Sequence, residues 1–161
     1  MAAKAEMKTN VMRVLDQKKI PYEHHCYADT GAISGAEVAE ALHQDPGRAF
    51  KTLVTTGKSK NHYVFMVPVL AELNLKKAAA AVGEKSIEML KAKELLGLTG
   101  YVHGGCSPIG MKKQFKTVIH QTAADYATIM FSAGKIGYQV ELSLADLQKV
   151  IPVLVADITV E

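Results

Sequence analysis

The chain has 161 residues, of which 48% are hydrophobic and 22% are charged, and its net charge is +3. This size and composition are typical of one folded domain and argue against intrinsic disorder, collagen-like sequence and coiled coils. The longest apolar stretch, residues 63–71, is interrupted by Pro68 and is too short to span a bilayer, and residues 1–19 lack the apolar core of a secretory signal. We expect a single domain over residues 1–161 that stays in the cytoplasm and does not contact a membrane.

Helix and strand signals alternate along the first part of the chain. An amphipathic pattern predicts a first helix, in which the apolar residues are Met7, Val11, Val14 and Leu15. Pro21 ends that helix, and an extended segment over residues 21–27 follows. Ser34 and Glu37 then form a capping box, which predicts the start of a second helix that ends before the Asp-Pro pair at residues 45–46.

The rest of the chain predicts a hairpin and a mixed sheet. Two apolar strands, residues 49–56 and 62–69, are joined by a polar turn that is typical of a hairpin. The remaining predicted elements are helices after Asn74 and over 91–98, strands over 117–121, 127–132 and 139–142, a helix capped by Ser143, and an edge strand over 153–160. Strands and helices interleave without a strict βαβ period, so we expect a mixed α/β (α+β) fold with helices around the sheet.

The spacing of the chemically reactive residues argues against several catalytic motifs. Residues 105–110 have the G-x-x-x-x-G spacing of a P-loop, but Met111 stands where that motif requires lysine. The same stretch lacks the second glycine of a G-x-S-x-G nucleophile elbow. The six histidines show no H-x-x-x-H spacing and the two cysteines no C-x-x-C spacing, so no metal site is predicted. Cys106 lies in a glycine-flanked loop; a small buried hydrophobe is the favoured interpretation, and a nucleophile is the alternative.

Lys51 is the most informative residue of the pattern because it interrupts an apolar strand. Period-2 alternation assigns it to the same face as Ala49 and Leu53. A lysine in such a strand is either an edge residue that extends to solvent or a cation directed into a pocket. The glycine-rich stretches at 104–105 and 132–137 are either turns or places where backbone amides approach an anion closely. The pattern alone leaves both questions open.

The combined motifs resemble the YbaK/EbsC family. The resemblance is carried by Phe50-Lys51-Thr52-Leu53, by Gly104-Gly105-Cys106-Ser107-Pro108-Ile109-Gly110-Met111-Lys112-Lys113, and by Ser132-Ala133-Gly134-Lys135 through Glu141-Leu142. It extends over nearly the whole chain and is greatest for the branch of Cys-tRNA(Pro) deacylases, which is related to the editing insertion domain of bacterial prolyl-tRNA synthetase. It implies a single α/β domain with a curved, mixed, partly barrel-like sheet and a substrate cleft near the strand that contains Lys51.

The resemblance also implies an activity and the residues that perform it. The activity is trans-editing, the removal of cysteine that prolyl-tRNA synthetase has attached in error to tRNA(Pro). On this resemblance no cofactor would take part, and the thiol of the substrate would attack its own ester. Lys51 would be the catalytic cation. The substrate-binding residues would be Tyr27, Thr52, Gly104, Gly105, Ser107, Pro108, Ser132 and Gln139. The partners would be the acceptor end of tRNA(Pro) and prolyl-tRNA synthetase.

Two departures from the family pattern bear on the pocket. Ser34 falls about where a pocket phenylalanine is familiar, and Gln139 replaces an aspartate that some members carry. Both changes alter the polarity that the resemblance implies for the pocket. Two other functions stay open at this point. One is a deacylase for another small residue, such as alanine on tRNA(Pro), and the other is a binding or regulatory module that keeps the nucleotide cleft without turnover.

Overall fold

Five α-helices and eight β-strands form the fold in the computed structural model, which describes residues 8–161. The helices are α1 (Asn10–Gln17), α2 (Gly35–Ala41), α3 (Leu75–Val82), α4 (Ala92–Thr99) and α5 (Leu144–Val150). The strands are β1 (Glu23–Cys26), β2 (Phe50–Gly57), β3 (His62–Pro68), β4 (Ile87–Met89), β5 (Lys116–His120), β6 (Ile129–Ser132), β7 (Tyr138–Leu142) and β8 (Val153–Ala156). No helix in these residues has the length and apolar composition needed to cross a membrane. Met7, predicted in the first helix, lies outside the described residues.

Side-chain caps start three of the helices where the sequence predicts them. In α2 the Ser34 hydroxyl accepts a hydrogen bond from Glu37 N, and the Glu37 carboxylate accepts one from Ser34 N. Asn74 Oδ1 accepts hydrogen bonds from the first turn of α3, and Ser143 Oγ does the same in α5. Each cap satisfies backbone N–H groups that have no partner inside the helix. The three predicted helix starts are confirmed.

The strands are divided between a five-stranded and a three-stranded sheet. The first has the order β4-β2-β3-β5-β8, in which the β2–β3 hairpin is antiparallel and the β3–β5 and β5–β8 pairs are parallel. The second has the order β1-β7-β6 and is antiparallel. One parallel bridge, between Ala49 and Met130, connects them. The predicted mixed α/β fold and its hairpin are confirmed, and the strands form two sheets that do not close into a barrel.

Strand β3 lies between two hydrophobic cores of the described chain. Val64 and Met66 belong to the core that contains residues of both sheets, whereas Phe65 and Val67 belong to the core that contains α3. All four side chains are completely buried. Because both faces of β3 are covered, the strand is a continuous apolar run, which is typical of strands inside α/β sheets.

Two short stretches differ from the prediction. The sequence does not predict β4, because only Ile87 of its three residues is buried and so short a stretch shows no period-2 pattern. The strand predicted over residues 153–160 is wrong in its second half, where only Thr159 forms a bridge, with Leu73. The chain leaves the sheet there because Ile158 enters the core that contains α3.

Glu141 of β7 connects the two sheets through its carboxylate. Its Oε1 lies 2.8 Å from His25 Nε2 on β1, and its Oε2 accepts hydrogen bonds from Thr128 and, at 2.9 Å, from Arg48 Nη2 just before β2. Burial opposes the charged form, but the hydrogen bonds from Thr128 and His25 and the charge of Arg48 outweigh it, so the pKa of Glu141 lies below its ordinary value. The charged carboxylate therefore stabilises the fold.

We expect Glu141→Gln to lower the free energy of unfolding by about 1–3 kcal/mol at pH 7, because Arg48 loses its anionic partner. A carboxylate with a lowered native pKa adds stability above the unfolded pKa, and this stability is lost as the pH falls through the native pKa. Urea unfolding at pH 7 and pH 3 measures the effect. The difference between the two proteins should shrink at pH 3, and an equal difference at both pH values would contradict the charge-based explanation.

Candidate functional site

A cleft of about 640 Å³ lies along an open edge of β2. Strand β4 pairs with β2 only at residues 55–57, so no other strand within residues 8–161 pairs with residues 50–53 on that side. Residues from α2, α4, the loop at 103–106 and the three-stranded sheet enclose the space in front of this edge. The volume is within the usual range for pockets that bind small molecules.

The described walls of the cleft are mainly apolar and contain a small number of polar groups. The apolar lining residues include Ile33, Val38, Phe50, Leu53, Val54, Val69, Met89, Leu90, Leu95 and Phe131. The polar lining residues are Tyr27, Ser34, Glu37, Lys51, Thr52, His103, Ser132, Tyr138 and Gln139. Such a combination selects a small group by shape and orients it by hydrogen bonds.

Lys51 is the one lysine or arginine among the described lining residues. It is half-buried on β2, opposite Val67 of β3 in the strand register. Within residues 8–161 its ammonium group makes no hydrogen bond and no ion pair. Partial burial of an unpaired cation is unfavourable. Lys51 is therefore available to a negative charge that a ligand carries or develops in the cleft.

Thr52 offers its backbone N–H and C=O to the open edge of β2. Val54 O accepts a hydrogen bond from Leu90 N on the cleft side, whereas Ala49 O accepts one from Val69 N on the β3 side. Because backbone groups of successive residues alternate in direction along a strand, Thr52 N–H and C=O point to the same side as Val54 O. The buried Thr52 hydroxyl also has no hydrogen-bond partner in the described residues. The two backbone groups can bind a polar ligand.

Glu37 is the one carboxylate among the described lining residues, and it is already engaged. Its Oε1 accepts hydrogen bonds from Ser34 N at 3.0 Å and from Ile33 N at 3.1 Å. The backbone hydrogen bonds from Ser34 and Ile33 hold the pKa of Glu37 below its ordinary value. The carboxylate of Glu37 thus fixes the start of α2 at the edge of the cleft.

The loop after α4 forms one wall of the cleft. Of the substrate-binding residues that the resemblance implies in this loop, only Gly104 lines the cleft. Gly104 lines it with φ of +87°, a conformation that disfavours any side chain. Gly105, Ser107 and Pro108 are buried behind the wall and do not line it. A Cβ atom on Gly105 would lie 3.0 Å from the backbone nitrogen of Ile136. In this structure these three residues fix the path of the loop, and their direct contact with substrate stays a prediction.

Tyr27 and Ser132 lie on the side of the three-stranded sheet. Tyr27 is only 5% exposed, and its backbone N–H donates to Gly137 O at 2.8 Å. Ser132 Oγ accepts a hydrogen bond from Gly134 N at 3.1 Å, so its hydroxyl proton stays available for a ligand. Both residues line the cleft that contains Lys51.

Gln139 lines the same wall as half of an amide pair. Gln44 Nε2 donates to Gln139 Oε1 at 2.7 Å, and Gln139 Nε2 donates to Gln44 Oε1 at 3.2 Å. The sequence does not single out Gln44, because it follows α2 in a turn and meets Gln139 from 95 positions away. The pair makes this wall of the cleft neutral.

Cys106 lines the cleft but is not an activated nucleophile. It is 8% exposed, and burial raises the pKa of its thiol to about 12. The reactive form of a cysteine is the thiolate, which such a pKa suppresses at neutral pH. The structure thus favours the interpretation of Cys106 as a buried hydrophobe.

Cys106→Ala should keep the catalytic rate within about threefold of the wild-type rate, because a protonated buried thiol does not attack an ester. Removal of the sulfur should cost about 1 kcal/mol of stability. Steady-state kinetics and thermal unfolding of the variant measure both effects. A loss above roughly 100-fold at unchanged stability would identify Cys106 as the nucleophile.

His103 is an exposed lining residue to which the sequence pattern assigns no role. It stands directly before the two glycines of the loop, which is the one local signal that marks it. An imidazole can act as a general base near neutral pH. His103 is therefore the residue in the described walls that could activate a water molecule.

Glu23, His25 and Glu141 bring three potential metal-ligand atoms within 4.8 Å of one another. None of the three lines the cleft. Both carboxylate oxygens of Glu141 already accept hydrogen bonds from protein groups, including Arg48. A cation here would have to displace the contacts that connect the two sheets, so we assign the group a structural role.

Comparisons with known proteins agree with this architecture. A solved structure described as "Crystal structure of hypothetical protein APE2540" is 20% identical, with a TM-score of 0.86 over 94% of this chain and 100% of that chain. A second, described as "Crystal structure of a putative trans-editing enzyme for prolyl tRNA synthetase", is 21% identical, with a TM-score of 0.84 over 97% of this chain and 100% of that chain. At these identities the likeness shows the fold.

The sequence comparisons go further than the fold. The Enterococcus faecalis (strain ATCC 700802 / V583) protein named "Putative Cys-tRNA(Pro)/Cys-tRNA(Cys) deacylase EbsC" is 48% identical over 141 residues, which are 87% of this chain and 86% of that protein. The family described as "Aminoacyl-tRNA editing domain" matches residues 31–150, which include α2, the β2 edge, the loop at 103–106 and β7. This chain therefore belongs to the aminoacyl-tRNA editing domain family.

Proposed function

We propose that this protein is an aminoacyl-tRNA deacylase that acts in trans and removes cysteine attached in error to tRNA(Pro). Membership of the editing domain family and the name of the Enterococcus faecalis relative support this assignment. The partners in the proposal are the acceptor end of tRNA(Pro) and prolyl-tRNA synthetase. The proposed compartment is the cytoplasm, because the substrate is formed where prolyl-tRNA synthetase works.

The proposal rests mainly on Lys51, which has no partner within residues 8–161 and lines the cleft. The thiol of Cys106, the one cysteine among the described lining residues, has a raised pKa and is protonated at neutral pH. Lys51 and the Thr52 N–H belong to adjacent residues at the open edge of β2. An ester carbonyl held there would have a cation and a backbone donor near the oxygen on which negative charge develops. Such preorganised groups supply several kcal/mol of transition-state stabilisation without a covalent protein intermediate.

In the proposed reaction the substrate supplies the nucleophile. The cysteinyl thiolate attacks the carbonyl carbon of its own ester, a C–S bond forms, and the bond from that carbon to the ribose oxygen of the terminal adenosine breaks. The proton that the thiol loses to water returns through water to the departing ribose oxygen, so the step is neutral overall. The products are uncharged tRNA and a cyclic thiolactone, which water opens to free cysteine. Lys51 stabilises the thiolate and the developing oxyanion, and the apolar walls limit access of water to the ester.

This chemistry provides a selection that volume alone does not. Cysteine and proline have similar volumes, and an apolar pocket separates near-isosteres poorly. A cleft that only positions the ester releases those acyl groups that carry their own nucleophile. Proline has no free thiol, so correctly charged Pro-tRNA(Pro) would resist release.

The proposal is tested by assaying the purified protein on Cys-tRNA(Pro), Ala-tRNA(Pro) and Cys-tRNA(Cys) at matched concentrations, with reactions without protein as the control for spontaneous hydrolysis. We expect the fastest release from Cys-tRNA(Pro). Release of alanine as fast as cysteine would favour a deacylase for other small residues. Binding of tRNA without release from any substrate would contradict an enzyme and favour a binding module.

A further inference from the structure

The positive charge of the chain is concentrated in one segment. Residues 91–116 contain five lysines and one carboxylate, a net charge of +4. The rest of the chain has 14 lysines and arginines and 15 carboxylates, a net charge of −1. This segment therefore accounts for the basic character of the whole protein.

The same segment forms a wall of the cleft. Ala92 and Leu95 of α4 line it, together with residues of the loop that follows. Lys91 and Lys93 flank Ala92 at the start of the helix, and both are exposed. Lys112 returns to the other end of α4, where its Nζ donates a hydrogen bond to Gly97 O at 3.3 Å. The lysines thus stand at both ends of a helix that borders the cleft.

We propose that Lys91, Lys93 and Lys112, here called the α4 face, bind the sugar-phosphate backbone of the RNA strand whose 3′ end enters the cleft. The inference rests on the proposed function for the identity of the strand. Lysine ammonium groups contact phosphates as point charges, and such contacts position a nucleic acid without reading its sequence.

The dimensions of the α4 face suit a short single strand. An eight-residue helix is about 12 Å long, so lysines at its two ends can contact different phosphates of one short strand. Leu96 and Val102 are exposed near the lysines, at 55% and 46%. Apolar surface among cations fits ribose and base faces, which lie beside the phosphates of an unpaired strand. The proposed substrate brings a single-stranded RNA end to the adjacent cleft, which favours this partner over an acidic peptide.

The test compares two triple variants in binding of uncharged tRNA(Pro). The first is Lys91→Gln, Lys93→Gln and Lys112→Gln, in which glutamine at 112 can still donate to Gly97 O. The second is Lys18→Gln, Lys76→Gln and Lys149→Gln, which removes the same charge from exposed positions at three other helices.

We expect the α4-face variant to bind tRNA at least about tenfold more weakly than the control variant in 0.1 M salt. The slope of the logarithm of the binding constant against the logarithm of the salt concentration should fall by about 2, because each lost single-strand phosphate contact contributes about 0.7. Equal affinities for the two triple variants would overturn the docking assignment.

A substrate without phosphates distinguishes RNA binding by the α4 face from cleavage of the ester in the cleft. Cysteine release from 3′-O-cysteinyl adenosine should be equal in wild type and the α4-face variant, because the lysines do not touch the ester. A loss of rate on this small substrate would overturn the assignment of the lysines to docking. If wild type releases cysteine from neither substrate but binds tRNA through the α4 face, the proposed function fails while the docking assignment is supported.

Discussion

Lys51→Ala should lower the rate of cysteine release from Cys-tRNA(Pro) by about 100- to 1,000-fold, the usual cost of removing one group that stabilises an oxyanion. No other lysine or arginine among the described residues lines the cleft, so none can replace the lost charge. The fold should remain intact, and thermal stability should be unchanged or slightly higher. The half-buried ammonium group makes no hydrogen bond or ion pair within residues 8–161, so the substitution leaves no protein group without a partner.

The matched control is Lys76→Ala, which removes an exposed lysine from the first turn of α3 and should leave the rate unchanged. Lys51→Arg should restore part of the rate, because it keeps the charge but changes the position of the donors. Single-turnover kinetics and thermal unfolding of the three variants measure these effects. A correctly folded Lys51→Ala protein that releases cysteine at the normal rate would refute the assignment of Lys51.

The sequence predicts those parts of the fold that depend on local signals. Ser34, Asn74 and Ser143 mark helix starts because a cap involves residues two or three positions apart. The β2–β3 hairpin is marked by its turn and by two apolar runs. Local signals do not predict whether Lys51 faces a pocket. Whether a strand lysine points into a pocket depends on which strand pairs beside it, and β4, which stops short of Lys51, has no visible pattern.

Contacts between distant residues set the remaining features of the site. The Gln44–Gln139 amide pair joins residues 95 positions apart, and the bond from Arg48 to Glu141 joins residues 93 apart. The resemblance marks the stretch 104–108 as functional, yet it does not reveal which atoms face the cleft. The backbone path decides this: Gly104 lines the cleft, while Gly105 lies against Ile136.

Replacement of cysteine by serine in the substrate should slow release by a factor of at least about 100. A thiol with a pKa near 8.5 is a few per cent thiolate at neutral pH, whereas an alcohol is almost wholly protonated. The two side chains are nearly isosteric, so both esters should enter the cleft. The difference would thus come from the chemical step, and the binding constants of the two charged tRNAs should be similar.

S-alkylation of the cysteinyl group gives a second comparison, because it removes the nucleophile while the ester stays intact. The alkylated substrate should not react, although its added bulk can also weaken binding. Seryl-tRNA(Pro) is the control for bulk, because it lacks the thiol without being larger. Slow reaction of both substrates would exclude steric blocking as the explanation.

The most direct test of a substrate-supplied nucleophile is single-turnover release from cysteinyl-, seryl- and S-alkyl-cysteinyl-tRNA(Pro), with saturating wild-type protein and the products trapped before hydrolysis. We expect rapid release of cysteine as a trapped thiolactone and release of the other two groups at least about 100-fold more slowly. Equal rates for the cysteinyl and seryl esters, with free amino acid as the first product, would contradict this expectation. That result would mean that water attacks the ester, with His103 as the base to examine next.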